Sequence, residues 1–160
     1  VKEEFGNKIK YILDGGACAI GIESTIVNLI GRPSILRLGG LDILKIQKTL
    51  GFKINISINP KKKIAPGQSR LHYSPGIPLR MNVAKPKSDE AFIIIKKKKT
   101  KLKNYFYLTT KNNLVEAAKN LYSCLRKIKN QGYKSIAVEK IPNIGLGKAI
   151  NDRLYRASKL

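Results

Sequence analysis

The sequence predicts an α/β protein in two parts joined by a proline-rich stretch. Three observations carry this. Short β-branched runs bounded by glycine alternate with helix-spaced apolar residues on both sides of the middle. Prolines at 60, 66, 75, 78 and 86 crowd the segment between. The remainder reads strand, strand, helix, strand, loop, helix, an order that expects parallel strands and right-handed crossovers. A length of 160 residues suits one ordinary domain or two small ones, and 42% hydrophobic content is enough for a core.

Each element has a local reason. Tyr11-Ile12-Leu13 before Asp14-Gly15-Gly16 reads as a strand end and a turn. Thr25, Ile26 and Val27 form a β-branched run inside Glu23 to Ile30, and Ser34 to Leu38 is a second short strand closed by Gly39-Gly40. Leu41, Leu44, Lys45 and Lys48 stand at helical spacing, with Asp42 at the start and Gly51 after the end, so a helix is expected over 41–50. Ile54, Ile56 and Ile58 alternate with polar residues, as a half-buried strand does. From Pro60 to Pro86 helix and sheet interiors are excluded, leaving a linker or extended loop of a length that is usually functional or disordered. Strands are expected at Ala91 to Lys96 and Asn104 to Leu108, with Tyr105, Phe106 and Tyr107 buried. Asn112 or Asn113 should cap a helix whose apolar stripe is Leu114, Ala117, Leu121, Leu125 and Ile128, ended by Gly132. Ser135 to Val138 reads as a strand, Pro142 to Gly147 as a loop and Ala149 to Ala157 as a last helix.

Composition excludes several classes. The longest apolar runs, such as Phe92 to Ile95, are far too short to span a membrane, and Val1 to Lys10 carries no apolar signal region. Cys18 and Cys124 are too few and too far apart for a disulfide framework or a zinc knuckle. A soluble, cytoplasmic protein is therefore expected. The net charge of +22 invites a nucleic-acid reading. Against it, twenty-five of the basic residues are lysine and seven arginine, and lysine is a mobile point charge without the planar fork that reads phosphates and bases. Residues 1–60 carry net +3, 61–110 net +11 and 111–160 net +8. The clusters Lys61 to Lys63 and Lys96 to Lys99 are not interleaved with aromatics, as a base-stacking platform requires. A Lys/Ile/Asn excess is also what drift in an AT-rich genome produces.

Three segments together resemble one family. They are Ile12-Leu13-Asp14-Gly15-Gly16 through Gly21-Ile22-Glu23-Ser24-Thr25-Ile26-Val27 with Ile35-Leu36-Arg37; Ala65-Pro66-Gly67-Gln68 with His72-Tyr73-Ser74-Pro75; and Gly145-Leu146-Gly147-Lys148-Ala149-Ile150-Asn151-Asp152-Arg153-Leu154. Their order and spacing resemble the threonylcarbamoyl-AMP synthases in their two-domain form. The resemblance implies that 1–58 is the C-terminal remnant of a YrdC-like catalytic domain, 59–89 an interdomain linker that closes over the active site, and 90–160 a small Rossmann-like domain. It implies a nucleotidyltransferase that makes threonylcarbamoyl-AMP and pyrophosphate from L-threonine, bicarbonate and ATP. Magnesium is expected with the ATP, and the product is expected to pass to partner proteins that modify tRNA.

By the same resemblance Ser24 is expected to hold threonine, and Arg37, Ala65, His72 and Tyr73 to bind ATP. The chemistry agrees: a hydroxyl can donate to a carboxylate and accept from an amine, and a guanidinium can fork onto phosphate oxygens. The bland alternatives are a strand-edge serine, an exposed strand-end arginine, a surface histidine and a loop-anchoring tyrosine. No carboxylate pair, catalytic triad or P-loop is present, so no catalytic side chain and no metal ligand is assigned. That suits a reaction driven by positioning and charge stabilisation. The segment Gly145 to Leu154 reads as structural, with Asn151 and Arg153 docking the two parts. Asn28, Leu38 and Ala65 depart from the residues the family usually carries there (Asp, Pro and often Ser). Val1 falls inside the family's first domain, so the chain is expected to be an N-terminally truncated, inactive fragment without the lysine and arginine that bind triphosphate. A basic RNA-binding module without enzymatic activity is the alternative, and a decayed gene product a third reading.

Overall fold

The computed structural model describes residues 2–69, 72–100 and 102–159. A short helix α1 (Lys2–Phe5) and a 3-10 turn (Gly6–Lys8) come first. The strand end expected at Tyr11 to Leu13 does not form: these residues are exposed, Leu13 fully, and no strand among the described residues lies beside them. The turn after them does form, with the Gly16 amide donating to Asp14 Oδ1 at 2.9 Å.

The first sheet orders β1 (Ile26–Asn28), β2 (Ser34–Arg37) and β3 (Asn55–Ile56). β1 and β2 are antiparallel, with an irregularity between Ile26 and Val27, and β2 and β3 are parallel. Between β2 and β3 runs α2 (Ile43–Leu50). Its Asp42 cap accepts from the Leu44 amide at 3.0 Å, and Gly51 ends it at φ 74°, a left-handed stop that costs glycine little. The buried face differs from the expected one. Ile43 and Ile46 point into the core, while Leu41 and Leu44 are 51% and 62% exposed. β3 is shorter than the expected strand because only β2 pairs with it; Ile54 is buried but Ile56 is exposed.

The second sheet is wholly parallel, in the order β4 (Leu79–Arg80), β7 (Ile136–Val138), β5 (Ala91–Lys96) and β6 (Tyr105–Thr109). The proline-rich stretch, expected as an extended loop, thus supplies the edge strand β4, the place where a sheet tolerates neighbouring prolines. Arg80 pairs there with Glu90 at 2.7 Å, and the Glu90 side chain is almost fully buried. α3 (Leu114–Asn130) is capped by Asn113, whose side chain accepts from the Val115 and Glu116 amides. Its stripe of Ala117, Leu121, Leu125 and Ile128 is buried as expected, with Leu114 half-buried at the end. Phe106 is buried, Tyr105 half-buried and Tyr107 exposed, because alternate side chains leave the sheet on opposite faces. α4 (Leu146–Ala157) starts three residues before its expected first residue, so Gly147 lies within it. A Cβ on Gly147 would stand 1.9 Å from the Pro142 carbonyl oxygen, so the turn into α4 needs a glycine there.

α4 belongs to both cores. Its Ile150, Leu154 and Ala157 join the cluster beneath the second sheet, while Ala149 joins Ile35, Leu38, Ile43 and Ile54 of the first. Ile22 packs against both clusters. Gly21 lies so close to α3 that a Cβ there would meet the Lys119 backbone at 2.6 Å. No helix among the described residues is long and apolar enough to cross a membrane.

Candidate active site

The close approach of β1 and β2 brings the first two predicted site residues together. Ile26 pairs with Arg37, which sets the guanidinium beside Ser24, two residues before the strand. Arg37 Nε donates to the Ser24 carbonyl at 3.1 Å and Nη2 to the Ser24 hydroxyl at 3.2 Å. The hydroxyl accepts that bond and keeps its own hydrogen to donate. A Cβ on Gly39 would lie 2.2 Å from the Ser24 carbonyl carbon, so only glycine permits this packing. Thr25 holds the neighbouring turn by donating to the Leu41 carbonyl at 2.7 Å.

The loop carrying the other three predicted residues folds over this pair. Gly67 is buried at φ 84°, and a Cβ there would stand 2.6 Å from the Tyr73 phenol oxygen and 3.0 Å from Arg37 Cδ. Glycine therefore lets Tyr73 and Arg37 share one small space. Ala65 is half-buried, and its amide donates to Gln68 Oε1 at 3.1 Å, so any contact it makes with a ligand comes from a methyl or from backbone. His72 is exposed and stacks on Tyr73 with ring centroids 3.9 Å apart. Tyr73 has φ 65°, a backbone region that non-glycine residues seldom adopt. The structure thus brings Ser24, Arg37 and Tyr73 into one group, with His72 at its rim and Ala65 at the start of the loop.

Several residues of this region carry no expectation from the sequence reading. Buried Gln68 divides its amide between the loop and the first sheet: Oε1 accepts from the Ile64 and Ala65 amides, and Nε2 donates to the Leu36 and Ser57 carbonyls. It pins the loop to β2. Glu23 accepts from the Tyr122 hydroxyl at 3.1 Å and from Arg153 Nε at 2.9 Å. Burial pushes the Glu23 carboxyl up, but the Arg153 guanidinium and the hydrogen bonds outweigh it, and the net shift is downward. Burial, then the Glu23 carboxylate, push the Tyr122 phenol well up, so it stays a donor. Burial also raises the Tyr73 phenol.

Of the two residues expected to dock the parts, Arg153 does and Asn151 does not. Asn151 Nδ2 donates to the Ile141 carbonyl at 3.2 Å, a contact inside the second unit. Arg156 takes its place: its guanidinium donates to the Ile58 and Ser69 carbonyls and to Asn59 Oδ1. Asp152, itself buried, lies 2.6 Å from Arg153 and 3.1 Å from Arg156, so neither buried arginine lacks a carboxylate. A periodic signal existed. Arg153 stands four residues from both Ala149 and Ala157, on the face that α4 buries.

A cavity of about 690 Å³ opens elsewhere, between the loop and the end of α4, lined by Lys61, Lys63, Arg156 and Lys159 among others. It holds none of Ser24, Arg37, Ala65, His72 and Tyr73. Among the described residues no group of three His, Cys, Asp or Glu side chains is placed to hold a metal ion.

Known proteins resemble this sequence and fold. A family described as "Threonylcarbamoyl-AMP synthase, C-terminal domain" matches residues 40–159, and one described as "Telomere recombination" matches residues 1–39. The threonylcarbamoyl-AMP synthase of Pyrococcus abyssi is 32% identical over 178 residues, covering 99% of this chain and 52% of the relative. That of Schizosaccharomyces pombe is 30% identical over 194 residues, covering 100% and 48%. That of Bacillus subtilis is 27% identical over 177 residues, covering 99% and 51%. The crystal structure of P. abyssi Sua5 complexed with L-threonine superposes with a TM-score of 0.84 at 29% identity, over 98% of this chain and 52% of that one. A form of the same protein with an adjacent histidine and tyrosine both changed to alanine superposes at 0.78, with 28% identity, over 98% and 51%. The chain spans about half the length of the curated relatives it matches.

Proposed function

The chain belongs to the threonylcarbamoyl-AMP synthase family, as its C-terminal portion, and on that premise we propose that it serves the synthesis of threonylcarbamoyl-AMP. Threonine and bicarbonate condense to a carbamate with loss of water. A carbamate oxygen then bonds to the α-phosphorus of ATP, and the bond to the bridging oxygen breaks, releasing pyrophosphate. The product carries the threonylcarbamoyl group to proteins that modify tRNA, which suits a cytoplasmic setting.

The observation that carries this reading is the Arg37 fork on Ser24 beneath Tyr73. Ser24 accepts from Arg37 and turns its own hydrogen to the threonine carboxylate. Arg37 faces the nucleotide and offsets the negative charge that builds on the α-phosphate during transfer. Tyr73 and His72 cover the nucleotide, and Ala65 borders it through backbone. L-threonine in the P. abyssi structure supports threonine as substrate, and the His-Tyr pair altered in its variant supports a role for His72-Tyr73, the one such pair here. Magnesium would enter with the triphosphate, whose oxygens are its usual ligands.

The test is pyrophosphate release with ATP, threonine and bicarbonate, using the product of the full natural reading frame. Arg37→Ala is expected to lower turnover about 100-fold, the size typical of losing one charge-stabilising donor group. Unchanged kinetics would remove Arg37 from the ATP site. The 160 residues alone, about half the relatives' length, are expected to release none.

A further inference from the structure

We infer that Arg153 is the positioning residue of this site, with Tyr122 as its second support, so that docking of the second unit and closure of the loop over the substrates are one event. The inference rests on reading Ser24, Arg37 and Tyr73 as the residues that face the substrates.

Arg153 is 1% exposed, and each nitrogen of its guanidinium has a partner. The choice of those partners is informative. Nε holds the carboxylate of Glu23, the residue directly before Ser24. Nη2 donates at 2.7 Å to the carbonyl of Leu38, the residue directly after Arg37. The guanidinium carbon also lies 4.7 Å from the centroid of the Tyr73 ring, within cation–π range. One planar group from α4 therefore touches the backbone neighbour of two substrate-facing residues and the ring of the third. Asp152 takes Nη1 and fixes the plane.

Tyr122 on α3 completes the hold. Its hydroxyl donates to the other Glu23 oxygen, and its ring lies 5.8 Å from that of Tyr73. Tyr73 needs such support. Left-handed backbone is unfavourable for a non-glycine residue, and the loop will relax unless contacts hold it. Among the described residues, the aromatic and cationic partners on its ring apart from the stacked His72 belong to the second unit.

Arg156 supplies the control. It is as buried as Arg153, shares Asp152 with it and also bridges the units, yet its other partners are Ile58 and Asn59 at the loop's root and Ser69 within the loop, none of them Ser24, Arg37, Tyr73 or a chain neighbour of these. A purely structural dock predicts equal effects from both arginines. A positioning role predicts unequal ones.

The experiment compares Arg153→Lys with Arg156→Lys by hydrogen exchange on the full 160-residue chain, and adds Tyr122→Phe, which keeps the ring and loses one hydrogen bond. Arg153→Lys is expected to speed exchange about tenfold around Ser24, Arg37 and Tyr73, and Tyr122→Phe a few-fold in the same place. Arg156→Lys should act chiefly at 58–59 and 69, with a clearly smaller effect around Ser24, Arg37 and Tyr73 through the shared Asp152. In the product of the full reading frame, Arg153→Lys should lower kcat about 100-fold with little change in KM, as misplacement of reacting groups does. Equal effects of the two arginine variants on the Ser24–Arg37–Tyr73 group, or none there from Arg153→Lys and Tyr122→Phe, would overturn the inference. If the unaltered product of the full reading frame releases no pyrophosphate, the enzymatic reading falls while the exchange arms still decide the positioning role.

Discussion

The two sheets solve the same burial problem with unequal means. The parallel sheet packs seventeen buried residues in one cluster with α3 and α4 on it, and its strands pair in a continuous run. The smaller sheet has a cluster of five, one of which, Ala149, is lent by α4. It also leaves Leu29, Ile30, Phe52 and Ile56 exposed. The difference is one of dependence. The second unit contains its own core, while the first is completed by a helix from the other side of the molecule. Within these 160 residues the first unit is therefore marginal without that helix.

Limited proteolysis addresses the contrast where the expected effect is largest. A resistant core beginning near residue 77 and running to the end of α4 should survive while 1–58 is digested. A fragment begun at 90 should be clearly weaker, because it loses the buried Leu79 and leaves the buried Glu90 carboxylate without Arg80. Survival of 1–58 with loss of the rest would invert the assignment.

Core truncations come next. Leu121→Ala should cost about 2–5 kcal/mol and lower the midpoint of the main unfolding transition. Ile35→Ala, equally buried, should instead raise exchange in β1–β3 and leave that midpoint nearly unmoved. Equal shifts of the main transition by both variants would mean that the two cores unfold as one.

The smallest effect concerns acid. The Glu23 carboxyl lies below its ordinary value, so its contribution to docking is complete above the usual carboxylate range and is lost as pH falls through its folded value. Protection around Tyr73 should therefore drop as pH falls below the usual carboxylate range, and the drop should shrink in Glu23→Gln. Glu90 and Glu116 are also held low, Glu90 chiefly by its bond from Arg80 and Glu116 by its bond from Thr109. They add acid sensitivity to the second unit, but it should not respond to Glu23→Gln. An unchanged drop in that variant would assign the effect to other carboxylates.

These contrasts follow what could be read before the structure. Caps and periodicities were legible because they are local: Asp42 and Gly51 bound α2, Asn113 starts α3, and the α3 stripe is buried at its spacing. The parallel direction of β5, β6 and β7 was legible from the strand, strand, helix, strand pattern, but their order in the sheet was not. What stayed hidden depends on distant partners. β4 is two residues among prolines and becomes a strand only because β7 lies beside it. Leu41 and Leu44 are as apolar as Ile43, and nothing local says that the first sheet sits on Ile43. At the site, Ser24, Arg37 and Tyr73 were reached through motif resemblance. Arg153 was expected to dock the two parts, but its partners Glu23 and Leu38 lie 130 and 115 positions away and nothing local names them; Arg156, which also docks, ordinarily reads as surface.

The sharing of α4 also sets an order of events during synthesis. β1, β2 and α2 leave the ribosome early, but Ala149 and Arg153 follow roughly a hundred residues later, which at ordinary translation rates is about 5–20 s. For that interval the smaller sheet has neither its borrowed core residue nor the guanidinium that seats it. The nascent chain must keep those apolar strands from pairing elsewhere until its own distal helix arrives, so the wait itself is a hazard for misassembly.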